Sequence, residues 1–205
     1  MDPSLVAAAR AAAGFMPDDE GLALYRAGLV GARRGPLLEV GSYCGKSSVY
    51  LGAAARERGT VLFAVDHHRG SEENQPGWEH HDPGVVDARS GRIDTLPHFR
   101  RTVADAGLED SVIAVVGDSP TVARFWSTPL GLVFVDGGHA LDVVEADYEH
   151  WAPHVASGGL LVFHDVFEDP ADGGQAPFEV WKRAVASGQF DPASTTGSLR
   201  VLTAS

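Results

Sequence analysis

Short apolar runs alternate with amphipathic segments along most of this 205-residue chain. Each apolar run is bounded by Gly, Asp or Pro, which is typical of buried parallel strands. The runs predict strands at about 36–41, 60–66, 111–117, 131–136 and 159–165. The segments between them predict helices at about 45–58, 94–106, 119–127 and 140–153. This alternation predicts an α/β fold with a doubly wound, mainly parallel sheet and a ligand at the carboxyl ends of its strands.

Both ends of the chain add elements to this sheet. Residues 1–35 form a helical extension, with helices expected at 4–13 and 18–31. A helix at about 176–187 and a terminal hairpin around Gly197 complete seven strands. The whole of residues 1–205 is therefore predicted to be one domain with a Rossmann-like sheet.

One segment, residues 67–93, interrupts the alternation. It is polar, lacks periodicity and contains four of the nine histidines. Loops of this length in compact domains are often lids or binding loops, so we predict a lid over the ligand site. The alternative is a solvated surface excursion or a dimer contact.

Composition narrows the possible partners. The formal charge of -12 disfavours nucleic acid and anionic membrane surfaces as partners. The single cysteine, Cys44, rules out an intramolecular disulfide framework and agrees with a reducing compartment. The apolar opening is broken by Arg10 and is a poor signal peptide, so a cytoplasmic location is expected.

The first predicted strand leads into a glycine turn. Residues 37–48 read LLEVGSYCGKSS, and the second strand ends in Asp66. This pattern is typical of a nucleoside site, in which the turn approaches the ligand and an acid binds the ribose. Three residues separate Gly41 from Gly45, one fewer than a P-loop requires, and Tyr43 replaces the second glycine of a dinucleotide motif. An ordinary strand-to-helix turn is the alternative.

The later strands also end in polar residues. Asp118 and Ser119 follow the third strand and suit an adenine amino group, although either could be only a helix cap. The fourth strand ends in Asp136, and the fifth in His164 and Asp165. Two carboxylates in one crevice require a cation or a shared proton, so we predict a divalent metal. His164 and Asp165 can both be ligands only if the strand has already ended.

These motifs resemble those of class I S-adenosylmethionine-dependent methyltransferases. With VDGGH at 135–139 and FHDV at 163–166, residues 20–167 are similar to the bacterial group of macrocin-type sugar O-methyltransferases and proteins labelled cephalosporin hydroxylase. The mycobacterial enzymes that methylate mannosides are similar in size and style. The resemblance implies methyl transfer to a hydroxyl of a small molecule, expected to be a sugar or glycoside. A homo-oligomer, such as a dimer, is also expected.

The resemblance also implies ligands for each group. The expected contacts of S-adenosylmethionine are Glu39, Gly41, Ser42, Tyr43, Gly45, Ser47, Asp66, His67, Asp118, Ser119 and Asp136. The expected ligands of Mg²⁺ or Mn²⁺ are Asp136, His164 and Asp165. His164 stands where an aspartate is usual in the similar catechol O-methyltransferases.

An alcohol needs a base or a metal to become a nucleophile at neutral pH. His139 follows two glycines after Asp136 and is the expected base, with His67 and His68 in reserve. A surface histidine that begins a helix is the alternative for His139. Two other functions stay open: a non-catalytic subunit that binds S-adenosylmethionine, and a metal-dependent oxygenase with two histidines and one carboxylate on iron.

Overall fold

Seven strands form one sheet in this computed structural model, which describes residues 1–78 and 81–205. The strands are β1 Leu37–Val40, β2 Leu62–Asp66, β3 Val112–Val116, β4 Leu130–Val135, β5 Val155–Phe163, β6 Phe190–Thr196 and β7 Leu199–Ala204. Their order is β3-β2-β1-β4-β5-β7-β6, with β1 to β5 parallel and β7 antiparallel to both neighbours. The doubly wound, mainly parallel sheet expected from the sequence is confirmed. Glu79 and His80 of the expected lid lie outside the described residues.

Helices cover both faces of the sheet. They are α1 Pro3–Ala11, α2 Asp18–Gly31, α3 Lys46–Arg58, α4 Leu96–Asp105, α5 Ser119–Ala123, α6 Leu141–Trp151 and α7 Ala176–Ala186. One apolar core joins α1 to α4 with the sheet, and a second joins α5, α6 and α7 with its other face. The strand order reverses between β1 and β4, which places a crevice at the carboxyl ends of these two strands.

Two of the element boundaries that differ from their expected positions lie near the ligand crevice or its core. Helix α5 ends at Ala123 instead of 127, because the chain turns there and Trp126 packs edge-on against Trp151, with ring centroids 5.6 Å apart. Strand β5 ends at Phe163 instead of 165, and Asp165 then adopts a left-handed backbone with φ 53°. His164 and Asp165 therefore follow the end of the strand, as their shared use in one site requires.

The described chain contains no helix that is both long and apolar enough to cross a membrane.

The helical extension packs tightly on the sheet through two glycines. A Cβ built on Gly131, in β4, lies 2.1 Å from the carbonyl oxygen of Gly31, the last residue of α2. Gly131→Ala should therefore lower the free energy of unfolding by about 1–3 kcal/mol, because two backbones must move apart. Urea denaturation measures this loss. Gly174→Ala is the control, since its Cβ meets only the His139 Cβ at 3.9 Å, and an equal loss there would contradict the steric explanation.

Candidate active site

A cavity of about 420 Å³ opens at the carboxyl ends of the parallel strands. Its size suits a small-molecule ligand. The predicted site residues that line it are Gly41, Ser42, Tyr43, Ser47, Asp66, His67, Asp118, Ser119, Asp136, His139 and His164. Those that do not line it are Glu39, Gly45, His68 and Asp165. Most of the residues chosen from the ends of strands therefore share one crevice.

Asp66 organises the glycine turn beside this cavity. One of its carboxylate oxygens accepts hydrogen bonds from the backbone N–H groups of Ser42 and Tyr43, both at 2.9 Å. The other accepts from the N–H of His68 at 2.6 Å. Tyr43 and His68 are both left-handed, with φ 45° and 58°, so these bonds hold a strained backbone in place. Asp66 is thus a half-buried structural group as well as a candidate ribose ligand.

Gly41 brings the turn against the next strand end. Its φ is 81°, and a Cβ there would lie 2.3 Å from the carbonyl oxygen of Asp136. Only glycine combines this conformation with this close approach. The turn after β1 and the acid after β4 are therefore held next to each other.

Glu39 does not reach the cavity. Its side chain points into the protein from β1 and is fully buried, and Ser48 donates a hydrogen bond to it. Burial raises the pKa of Glu39 to about 8. The predicted contact of Glu39 with a cofactor is thus not supported by its position, because the side chain faces α3 instead of the crevice.

Asp118 and Ser119 follow β3 and line the cavity. Asp118 caps α5 by accepting from the backbone N–H of Thr121 at 3.0 Å. The Ser119 hydroxyl donates to Asp147 at 2.6 Å. Burial raises the pKa of Asp147 to about 6, and this acid also lines the cavity. Asp118 is therefore a helix cap in any case, and Asp147 is a cavity residue that sequence reasoning missed.

Asp136, His139 and Asp165 form a compact polar group. One ligand atom from each lies within 4.8 Å of the others, a spacing that could hold a metal ion. His139 Nε2 is 2.9 Å from an Asp165 oxygen. Burial raises the pKa of Asp136, as expected for an acid that shares a crevice with another.

His164 lies behind this group and is held by carboxylates at both ring nitrogens. Nδ1 is 3.2 Å from Asp136, and Nε2 is 2.7 Å from Glu20 of α2. Burial opposes a charge on this ring, but Asp136, Asp165 and Glu20 outweigh it and raise the pKa of His164 to about 12. The ligand atoms that converge are those of Asp136, His139 and Asp165, so the geometry favours His139 over the predicted His164 as a third ligand.

The same contacts bear on the oxygenase alternative. An iron site of two histidines and one carboxylate would need both His139 and His164 as ligands. Among the described residues, the ligand atoms that converge come from one histidine, His139, and two carboxylates, Asp136 and Asp165, which is not that set.

His139 is held between two acids. Its Nδ1 is 2.8 Å from Glu73 in the segment 67–93, and its Nε2 faces Asp165. The hydrogen bond with Asp165, helped by the charge of Glu73, raises the pKa of His139 to about 9. Glu73 lines the cavity and was not predicted, because nothing in the polar loop sequence distinguishes it from its neighbours.

The two reserve histidines occupy different environments. His67 lines the cavity, and its Nδ1 accepts a hydrogen bond from the Arg69 N–H at 3.0 Å. His68 is buried, with Nδ1 2.8 Å from the Thr95 hydroxyl and its ring against Phe99. Burial lowers the pKa of His68. His68, expected as a reserve base, is therefore not placed to act as one, because its ring faces the interior instead of the cavity.

Comparisons with known proteins agree with this architecture. The family model described as a methyltransferase domain matches residues 38–166. The structure is similar to that of the O-methyltransferase TomG from Streptomyces achromogenes, involved in tomaymycin synthesis and solved in complex with SAM. The two are 19% identical, with 100% of this chain and 91% of that chain covered and a TM-score of 0.63.

Two further structures are similar over comparable lengths. The O-methyltransferase from Bacillus cereus, in complex with SAH, is 16% identical, covers 99% of this chain and 91% of its own, and has a TM-score of 0.63. The O-methyltransferase NovP is 16% identical, covers 92% of this chain and 80% of its own, and has a TM-score of 0.67. At these identities the likeness shows a shared fold.

Proposed function

We propose that this chain, which belongs to the methyltransferase domain family over residues 38–166, transfers a methyl group from S-adenosylmethionine to a hydroxyl oxygen of a small molecule. The observation that carries the proposal is that Asp66, Asp136 and His139 all line the same cavity. One end of this cavity suits a nucleoside, and the other suits the removal of a proton from an alcohol.

The nucleoside end is built by the turn after β1 and the acid after β2. We assign the ribose to Asp66, whose carboxylate is aligned by three backbone N–H groups. The adenine falls beside Ser119 and Asp147, and the methionine portion falls along Gly41 and Ser42. Such preorganised contacts place the methyl donor at a fixed distance from the acceptor, which is worth roughly 7–11 kcal/mol of the barrier.

A divalent cation fits the other end of the cavity. Four carboxylates, those of Glu20, Glu73, Asp136 and Asp165, surround only two imidazole rings there. Even with both rings protonated the group carries excess negative charge, which a cation would relieve. Asp136 and Asp165 would hold Mg²⁺ or Mn²⁺, since ligand atoms of the two acids lie within 4.8 Å of each other. The ion would lower the pKa of a bound hydroxyl and orient it.

His139 is the proposed base, through Nε2. In the described arrangement Nε2 shares a proton with Asp165, at 2.9 Å. Nε2 can take a proton from the acceptor only after this contact opens and the proton that Nε2 shares with Asp165 has left the ring, whereas Nδ1–H can remain on Glu73. Capture of Asp165 by a cation would free Nε2 in this manner.

A saccharide suits the mouth of the cavity. The rings of Phe15 and Tyr43 lie 5.9 Å apart at this rim, and Phe15 is 62% exposed. A cavity lined by both aromatic rings and carboxylates suits a sugar, which has apolar C–H faces and polar edges. The resemblance to macrocin-type sugar O-methyltransferases supports the same class of acceptor.

Several broader expectations belong to this proposal. We propose that residues 1–205 act as one methyltransferase domain, with residues 1–35 as an extension and 67–93 as the lid. A homodimer and a cytoplasmic location stay predictions.

Cofactor binding gives the first test. S-adenosylhomocysteine should raise the melting temperature, because a ligand at 100 times its Kd stabilises the folded state by about 2.7 kcal/mol. ATP and NAD should produce no comparable shift. A shift with ATP or NAD and none with S-adenosylhomocysteine would contradict the assignment of the cavity.

Asp66→Asn tests the ribose ligand. The amide keeps one acceptor oxygen, so it weakens both the ribose contact and the backbone hydrogen bonds that align the turn, and we expect the Kd of S-adenosylhomocysteine to rise by about 10- to 100-fold. Calorimetric titration measures this change. Asp105→Asn, an exposed acid at the end of α4, is the control. Unchanged affinity in a folded Asp66→Asn protein would remove the ribose from this carboxylate.

A further inference from the structure

We propose that Glu73 is a positioning residue for His139 and that its contact ties the described part of the loop 67–93 to the turn after β4. The catalytic part of this inference rests on the role proposed for His139. The loop part depends only on the geometry.

The contact is specific and joins distant parts of the chain. Both carboxylate oxygens of Glu73 lie within hydrogen-bond distance of His139 Nδ1, at 2.8 and 3.1 Å, across 66 residues of sequence. The two side chains are 31% and 30% exposed, so water does not fully screen the pair. Within the described part of the loop, Glu73 is the acid that contacts the turn after β4.

Glu73 lies on a turn of the loop that is stabilised by side-chain hydrogen bonds. Residues Glu72–Asn74 form one turn of 3-10 helix, capped by a reciprocal pair of hydrogen bonds between Ser71 and Asn74. The Gln75 side chain ties this turn to the loop backbone by donating to the carbonyl oxygens of Arg69 and Ser71, both at 3.0 Å. A side chain on such a support is held more closely than one on an open loop.

The contact determines which nitrogen of His139 faces the crevice. When Nδ1–H donates to Glu73, the ring is fixed with Nε2 towards Asp165 and the acceptor end of the cavity. Carboxylates commonly orient functional histidines in this way. The same orientation is required whether Nε2 takes a proton or binds a cation. Glu73 therefore links the position of the loop to the competence of His139.

An ordinary surface ion pair is the competing explanation. Exposed pairs of this kind contribute little, and their loss would change neither turnover nor the loop. Glu72 provides the comparison, because it is an exposed glutamate on the same turn. Glu73→Ala, Glu73→Gln and Glu72→Gln therefore separate a positioning role from a general effect of removing acid from the loop.

The first measurement is the rate of trypsin cleavage at Arg69, Arg89 and Arg92, followed by mass spectrometry. We expect Glu73→Ala to raise this rate about tenfold, because the loop loses its tie to the turn after β4. Glu73→Gln should give a smaller increase, since its amide oxygen still accepts from Nδ1–H. Glu72→Gln should match the wild type.

The second measurement is kinetic, with mannose, glucose and their methyl glycosides as acceptor probes. Glu73→Ala should lower kcat by about 10- to 100-fold, the effect typical of losing the carboxylate that orients a histidine. Glu73→Gln should restore part of kcat, and the Kd of S-adenosylhomocysteine should stay within about twofold of the wild type. A merely structural role would not separate these quantities.

A cleavage rate and a kcat equal to those of the wild type in Glu73→Ala would overturn the proposal. Changes in Glu72→Gln as large as those in Glu73→Ala would also overturn it. If the wild type methylates none of the probes, the sugar part of the proposed function fails. The cleavage measurement still decides whether Glu73 holds the loop.

Discussion

Replacing His139 by alanine should lower kcat by about 10²–10⁴-fold, the usual contribution of a general base. His139 lines the cavity and lies between the carboxylates of Glu73 and Asp165. Its loss removes the proton acceptor and leaves the nucleoside end intact. Calorimetry should therefore find the Kd of S-adenosylhomocysteine unchanged, while initial rates fall.

His98→Ala is the matched control, since His98 lies on α4 and does not line the cavity. Mn²⁺ titration of the same variants separates two roles for His139. A base leaves Mn²⁺ affinity nearly unchanged when it is removed, whereas a third ligand does not. Wild-type kcat in His139→Ala would contradict both roles and direct the search for a base to His67.

Replacing Asp136 by asparagine should abolish metal-dependent turnover, with a loss of roughly 10³-fold or more. A Lewis acid contributes several kcal/mol to a reaction, and each 1.36 kcal/mol is tenfold in rate. Asp136 offers one of the converging ligand atoms and also contacts His164 at 3.2 Å. Its neutralisation should weaken Mn²⁺ binding and lower the melting temperature, because the His164 imidazolium loses a partner.

Chelation provides the complementary measurement. EDTA should remove activity from the wild type, and Mg²⁺ or Mn²⁺ should restore it, while S-adenosylhomocysteine affinity changes little. Asp172→Asn, an exposed acid after β5, is the control for loss of negative charge. Full turnover in EDTA by metal-free protein would exclude the ion from the reaction.

The sequence predicted the parts of the site that depend on local pattern. Apolar runs ending in Asp66 and Asp136 were sufficient to place these acids at strand ends, because buried parallel strands carry a continuous apolar signal. The parallel order then places their side chains at one edge of the sheet. The glycine turn could be predicted as well, because the left-handed backbone at residue 41 favours glycine and this residue type is visible in the sequence.

The parts that depend on tertiary contact were not predictable in this way. Glu20 lies 144 residues from His164, yet the two side chains are 2.7 Å apart in the interior. Nothing in the helical pattern of α2 distinguishes Glu20 from the exposed acid Asp19 beside it. For this reason the sequence predicts His164 as a metal ligand, whereas in the structure its Nε2 contacts Glu20 of α2.

The location of Glu39 shows a related limit. The motif predicts an acid at this position, but not the direction of its side chain. In β1 every residue is buried, so alternation between two faces does not separate a cavity residue from a core residue. Glu39 faces the Ser48 hydroxyl in the interior, and its burial raises its pKa to about 8.

A crystal structure with S-adenosylhomocysteine and Mn²⁺ would test the assignment of the cavity most directly. We expect the ribose hydroxyls on Asp66, the sulfur directed towards His139, and an anomalous peak for manganese between Asp136 and Asp165. S-adenosylhomocysteine bound outside this cavity, or with its sulfur directed away from His139 and no manganese at the two acids, would contradict the proposed reaction.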